Sequence, residues 1–473
     1  MPLSLTQVNK RIIDAKYAVR GAIAVRAEQI REDLIHNPTK YPFKQIINAN
    51  IGNPQQLDQK PITFYRQVLA LVQYPALLEN PVQFAPDAVE RAKTLLDHVH
   101  SVGAYSTSNG VPIVRKSVAR FIEKRDGYPA DPENIFLSAG ASAAVSKVLN
   151  LVATGSKTGV MIPIPQYPLY SASLALQGTQ PIGYYLDESK GWSTNVSLVE
   201  EQYNKAVAEG IEPKILVVIN PGNPTGGVLD AKSIEDICEF ALKHDMIVLA
   251  DEVYQANVFK GEFVSFKKVR CQLVEKDPAY EGIQLASVHS TSKGTIGECG
   301  QRGGYLEIVG FNDEIRDLIY KLASIELCPV VSGQILTELM VNPPQPGDAS
   351  YELFTKENSH IFNTLKERAQ GLKDVIEKLE GVSCGEPEGA MYLFPRITLP
   401  EKAVEAAKEK GMAADEFYCM NLLEHAGICV VAGSGFGQEP NTLHFRTTFL
   451  APGGEDFHKL FVDFHEKFME QYR

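Results

Sequence analysis

The segment Gln284-Leu-Ala-Ser-Val-His-Ser-Thr-Ser-Lys-Gly-Thr-Ile-Gly-Glu-Cys-Gly-Gln-Arg-Gly-Gly-Tyr305 runs from an apolar, strand-like stretch into a turn rich in serine and glycine. Lys293 follows the hydroxyls of Ser290 and Ser292 and precedes Arg302 by nine residues. A lysine after a strand is most often a solvated side chain. Here an amine, two hydroxyls, a guanidinium and glycines that admit close backbone approach suit a phosphorylated aldehyde.

Further candidates flank this segment, each with a plainer reading. Val217 to Gly226 ends a strand in Asn-Pro-Gly-Asn-Pro-Thr-Gly, which alone is an ordinary turn. Ile247 to Tyr254 is an apolar strand closed by Asp251, which alone is a helix N-cap. Leu137 to Val145 passes from strand to a helix start of Gly, Ala and Ser, an anion site or simply a place of close packing. Pro163 to Tyr170 could be a rigid loop, and Gly103 to Arg115 a surface loop carrying Tyr105. Leu443 to Phe449 is a short strand with one arginine, Arg446, ordinarily solvated or salt-bridged.

In this order, from about Tyr17 to Phe449, the stretches resemble the fold-type I pyridoxal-phosphate aminotransferases of class I/II. The resemblance implies that Lys293 holds pyridoxal 5'-phosphate as a Schiff base, while Ser290, Arg302, Gly140, Ala141 and Ser142 hold its phosphate. It places Tyr167 on the pyridine ring, Asn223 and Tyr254 at the phenolic oxygen, and Asp251 at the ring nitrogen. A carboxylate there keeps the nitrogen protonated and the ring an electron sink. Lys293, Asp251 and Tyr254 are thus the expected catalytic group. Arg446, with Asn223, is expected to grip the substrate α-carboxylate in a fork that lysine could not reproduce, and Gly52 of Asn50-Ile-Gly-Asn-Pro54 to cover it. Tyr105 matches a tyrosine that reaches the phosphate of a neighbouring subunit, which implies a homodimer with the site at its interface.

The family's usual interval from this lysine to this arginine is eight residues, against nine here. The longer turn, Gly-Glu-Cys-Gly-x-Arg-Gly-Gly-Tyr, resembles the branch that acts on alanine, as does Tyr-Ala-Val-Arg-Gly21. The implied activity is ping-pong transfer of an amino group between L-alanine and 2-oxoglutarate, giving pyruvate and L-glutamate. Alternatives are glutamate:glyoxylate or other small-amino-acid transfer, a carbon–sulfur lyase of the 1-aminocyclopropane-1-carboxylate synthase type, and a non-catalytic regulator. The lyase has the eight-residue interval, and a regulator would need a DNA-binding module for which the chain has no spare segment.

The elements that must position these residues alternate short apolar runs with helical segments, as in a parallel sheet with crossover helices. Candidate strands are Ile135 to Leu137, Gly159 to Ile162, Ile182 to Tyr185, Ile215 to Ile219, Met246 to Leu249, Gln284 to His289 and Gly304 to Ile308. Ligands of open α/β sheets bind beyond the carboxyl ends of strands, where the candidates lie. A helix from Tyr351 to Leu379, short strands near Tyr392 and Cys429, and a last helix from Gly454 follow. The expected fold is α/β: a mostly parallel central sheet in a large cofactor-binding domain, with a smaller α+β domain built from the two chain ends. The expected division is residues 1–75 as N-terminal arm and part of the small domain, 76–346 as the large domain and 347–473 as the C-terminal small domain, with Pro343 to Pro346 at the boundary.

The bulk properties narrow the field. A chain of 473 residues exceeds one ordinary core. A net charge of −12 disfavours nucleic acid and anionic lipid as partners, and no apolar run approaches the roughly 18 to 20 residues that cross a bilayer. Seven scattered cysteines without a CxxC pair read as reduced thiols, and neither they nor the histidines form a zinc pattern. Cys299 reads as a packing residue, and Gly433 to Gly437 is no dinucleotide fingerprint. The basic excess from Lys10 to Arg26 faintly suggests an organellar transit peptide. Ile12, Ala15, Val19 and Ile23 instead recur as on one amphipathic helix of the folded protein, so the expected location is cytoplasmic rather than mitochondrial.

Overall fold

The structure, a computed structural model, describes residues 3–17, 21–452 and 454–473. Its centre is a seven-stranded sheet made of Ile135–Leu137 (β1), Thr158–Ile164 (β2), Gln180–Tyr185 (β3), Glu212–Ile219 (β4), Ile247–Asp251 (β5), Gln284–Ser290 (β6) and Gly304–Val309 (β7). The spatial order is β1-β7-β6-β5-β4-β2-β3, all parallel except β7, which runs antiparallel to both β1 and β6. Each expected strand forms: Ile135–Leu137 is unchanged, Ile247–Asp251 starts after Met246 and runs on to Asp251, and the others are longer by one to three residues.

Alternation along the strands builds a layer on each face of the sheet. Ile215 and Val217 pack with Leu249 and Val288 against the helices Ala141–Val152 and Asp313–Ile325. Leu216 and Val218 pack with Val248 and Leu285 against Ala231–Lys243 and Phe266–Lys276. Strands buried on both faces read as continuous apolar runs, which is why they were legible. Each such buried side chain contributes about 1.5–3 kcal/mol of apolar burial.

The smaller unit joins the two chain ends through backbone. Ile47–Asn48 pairs in parallel with Ile428–Cys429, and Tyr392–Leu393 and Val431–Ala432 flank Phe445–Thr448 in a three-stranded antiparallel sheet. The helix Tyr351–Ile376 and the last helix Gly454–Tyr472 complete it.

The N-terminus departs from expectation. Ile12 and Ile23 do not share one helix: Lys10–Asp14 ends where Ala15 turns extended, and a separate helix spans Ala22–His36. Ile12 is exposed and Ile23 buried. The break lets Tyr17 reach Tyr167, hydroxyl to hydroxyl at 2.7 Å. Val19, like Ala18 and Arg20 of the Tyr17 to Gly21 stretch, lies outside the described residues.

Candidate active site

Beyond the carboxyl ends of β4, β5 and β6 lies a cavity of about 410 Å³. Gly52, Ala141, Ser142, Tyr167, Asn223, Asp251, Tyr254, Ser290, Lys293, Arg302 and Arg446 all line it. Of the other two residues singled out in the sequence, Gly140 abuts Arg302 from behind, since a Cβ on it would stand 2.3 Å from Arg302 Nη2. Tyr105 is 80% exposed and is not part of this cavity's lining.

The loop after β6 presents Lys293, whose Nζ donates to Gly52 O at 2.9 Å. The loop is closed by Thr291 N to Gly303 O and Glu298 N to Thr291 O. It is pinned from outside by Arg66, which grips Glu298 through Nε and Nη2 at 2.7 and 2.9 Å. Arg302 sits at φ 55 and ψ 49, in the left-handed region, at a cost on the order of 1 kcal/mol. Its hydrogen bonds hold it there: Nη1 to Cys299 O and Ser292 Oγ, Nη2 to Ala139 O and Ser142 Oγ, all neutral acceptors. Ser290 Oγ donates to Gly303 O at 3.3 Å and accepts from Ser292 N at 3.0 Å.

Asp251 ends β5 inside the protein. Its Oδ2 accepts from Tyr170 at 2.8 Å, and its Oδ1 from Val253 N at 3.4 Å. Burial pushes this carboxyl above its ordinary value, with the Tyr170 hydroxyl opposing. A cation beside it would favour its charged form. On the turn after β4, Asn220 holds Leu229 N with its side chain, and Asn223 projects into the cavity. Asn223 Oδ1 accepts from Arg446 Nη1 at 2.9 Å, which leaves its amide NH₂ to donate.

Arg446 is 1% exposed, and its Nη2 donates to Asn50 O at 2.5 Å. Its guanidinium lies between two rings, 4.0 Å from the centre of Tyr392 and 4.7 Å from that of Phe436. Its Nε has no hydrogen-bond partner among the described residues. Burial, then the neighbouring Tyr392, holds the Tyr254 phenol well above its usual range. Tyr392 is also buried, yet the charges of Lys293 and Arg446 draw its phenol down.

The cavity fits pyridoxal phosphate on these observations. Among the described residues, Arg302 and Arg446 are two guanidinium groups bonded only to neutral acceptors, one beside Ser142 at a helix start and the other among Asn223, Asn50 and two rings. Such cations call for two anions, a phosphate and a carboxylate. Between these demands stand a lysine amine, a buried carboxylate for a ring nitrogen, and Tyr254 and Asn223 as donors.

Several residues in or behind the cavity were not singled out for the site in the sequence. Tyr170 closed a quoted segment, yet its role depends on reaching Asp251 from 81 residues away. Tyr392 reads as an ordinary core aromatic, and Tyr17, though it opens the Tyr-Ala-Val-Arg-Gly21 stretch, carries no local sign of its contact with Tyr167. Ser292 was visible beside Lys293 and bonds Arg302. Cys299 lines the cavity, with its Sγ on Asn53 Oδ1 at 3.2 Å.

Residues 69–456 match the family described as Aminotransferase class I and II. The chain is 55% identical over 482 residues to the mitochondrial alanine aminotransferase of Saccharomyces cerevisiae, covering 100% of this chain and 81% of the relative. It is 51% identical to a protein of the same yeast named inactive alanine aminotransferase, covering 98% and 94%. It is 48% identical to the probable mitochondrial alanine aminotransferase of Dictyostelium discoideum, covering 100% and 90%. The solved alanine aminotransferase of Pyrococcus furiosus shares the fold, with TM-score 0.76 at 24% identity, over 98% of this chain and 100% of that one. The chain therefore belongs to the class I and II aminotransferase family. It is a pyridoxal-phosphate-dependent transaminase, and its substrates are amino acids and 2-oxo acids. The cytoplasmic expectation is corrected by the same relatives, since those at 55% and 48% identity are named mitochondrial. An amphipathic reading of Lys10 to Arg26 does not discriminate between the two locations.

Proposed function

We propose that the enzyme moves the amino group between L-alanine and 2-oxoglutarate, giving pyruvate and L-glutamate by a ping-pong reaction, with Lys293, Asp251 and Tyr254 as its catalytic group. The observation that carries the residue assignment is the pair of guanidiniums, Arg302 and Arg446, bonded among the described residues only to neutral groups, in a cavity that also holds Lys293 and Asp251. The choice of alanine is supported by the names of the relatives at 55% and 48% identity.

In this reading Arg302, Ser290, Ser142, Ala141 and Gly140 would hold the cofactor's phosphate, and Tyr167 its ring face. Asn223 and Tyr254 would donate to the phenolic oxygen, and Asp251 would keep the ring nitrogen protonated. Bound there, pyridoxal phosphate supplies an electron sink and a carrier for the amino group. Arg446 binds the substrate carboxylate, and Gly52 closes over it. Lys293 Nζ then takes the proton from the substrate Cα. Burial of Asp251, Tyr254 and Arg446 strengthens each of these interactions relative to water.

The proposed assembly is a homodimer in which Tyr105, exposed on its own chain, reaches the phosphate bound by the other. The proposed division is an N-terminal arm through residue 75, a large domain to 346 and a small domain thereafter. It is supported by the pairing of Ile47–Asn48 with Ile428–Cys429.

The test is a panel of alanine, glutamate, aspartate, glycine and phenylalanine with the purified, cofactor-loaded protein, following the pyridoxal-to-pyridoxamine spectral change. Alanine and glutamate should both convert the cofactor; failure of both would remove the assignment. The existence of a 51% identical relative named inactive makes this assay decisive where similarity is not.

A further inference from the structure

Tyr392 stands at the meeting point of the two halves of the site. Its strand pairs antiparallel with Phe445–Thr448 in the register Tyr392 to Thr448 and Leu393 to Thr447. Arg446 lies two residues from Thr448 on the same strand, hence on the same face, a diagonal neighbour within reach of an aromatic ring. That register puts the guanidinium 4.0 Å from the ring centre.

The other end of the side chain faces the lysine. A Cβ on Gly52 would stand 2.2 Å from the Tyr392 hydroxyl oxygen and 3.2 Å from Lys293 Nζ, so both groups press on the same side of this glycine. The Tyr254 hydroxyl donates to that of Tyr392 at 3.5 Å, and Lys293 Nζ donates to Gly52 O at 2.9 Å. A buried phenol needs a polar neighbour, and this one has found the amine's surroundings.

Building on the transaminase reading above, we propose that Tyr392 is a positioning residue with two separable parts. Its ring fixes Arg446 for the substrate carboxylate, and its hydroxyl, with Gly52 and Tyr254, seats the Lys293 amine for proton transfer at Cα. Phenylalanine would keep the first part and lose the second; an aliphatic side chain would lose both.

The experiment compares holoenzymes carrying Tyr392→Phe and Tyr392→Leu, with Tyr392→Met in place of leucine should that variant not fold. Propionate affinity by calorimetry reads the carboxylate fork, and the isotope effect on kcat with 2-deuterated alanine reads the proton step. Tyr392→Phe should bind propionate within about twofold of wild type, while kcat falls on the order of tenfold and the isotope effect rises. The aliphatic variant should also weaken propionate by about tenfold, a loss of the size expected for a desolvated cation–π contact. Wild-type kcat and isotope effect in Tyr392→Phe would overturn the hydroxyl's role, and wild-type propionate affinity in the aliphatic variant the ring's. Wild-type protein inert toward alanine would overturn the donor assignment instead. The propionate arm then still decides the ring's role, and 2-deuterated glutamate that of the hydroxyl.

Discussion

Arg446 Nη1 donates to Asn223 Oδ1 at 2.9 Å, across 223 residues of sequence, and so ties the small unit's central strand to the turn after β4. In the proposed scheme Asn223 would orient the fork while its own NH₂ stays available to the cofactor. Lys at position 446 would carry the charge but not the planar pair of donors. Arg446→Lys should therefore lower kcat/KM for alanine and for 2-oxoglutarate by about 10- to 100-fold, chiefly through KM, with cofactor affinity kept. Steady-state kinetics with each substrate checks this. A cofactor-binding defect without a KM change would place Arg446 elsewhere in the scheme.

Tyr170 donates to Asp251 from full burial. Removing that hydroxyl leaves the carboxylate with a single long backbone contact, so its charged form is less favoured. Tyr170→Phe should retain cofactor and substrate affinity but lower kcat on the order of tenfold. A kinetic split into kcat and KM decides it.

Behind Asp251, the side chain of Glu252 is driven by burial up to about 7 from an ordinary 4.5, with Arg125 opposing. Because the folded value is the higher, the folded chain holds a proton that the unfolded chain releases between those values. Its contribution is complete below pH 4.5 and lost as pH rises through about 7. Glu252→Gln can still accept from Phe266 N but releases no proton. Relative to wild type, this variant should gain up to about 3 kcal/mol between pH 4.5 and 8, measured by urea unfolding. A constant difference across that range would contradict the buried-acid account.

Tyr105 is exposed in the single chain, and in the proposed dimer it donates to a phosphate bound across the interface. Tyr105→Phe should raise the cofactor dissociation constant about tenfold, the scale of a hydrogen bond to a charged group. Equilibrium dialysis on protein shown dimeric by sedimentation provides the check. An unchanged constant would remove the tyrosine from the phosphate site.

What the sequence displayed was what backbone turns encode locally. Lys293 and Asn223 follow, and Asp251 ends, strands whose apolar runs are unmistakable, and Arg302 shares the loop of Lys293. Tyr392 and Tyr170 were hidden because their roles come from packing partners far along the chain, and locally they look like core aromatics. The N-terminal helix was misread for a related reason. Its apolar spacing continued past Asp14, but the contact between Tyr17 and Tyr167, 150 residues away, accompanies the break. The clamp of Arg66 on Glu298, which pins the loop between Lys293 and Arg302, likewise has no local signature.

The central claim is that Lys293 carries the cofactor. Reducing the cofactor-loaded enzyme with borohydride, digesting it and mapping the peptides by mass tests this directly. The account predicts phosphopyridoxyl mass on the peptide containing Lys293, and none after Lys293→Ala. Attachment at another lysine, or none in a wild-type enzyme that still turns over, would contradict it.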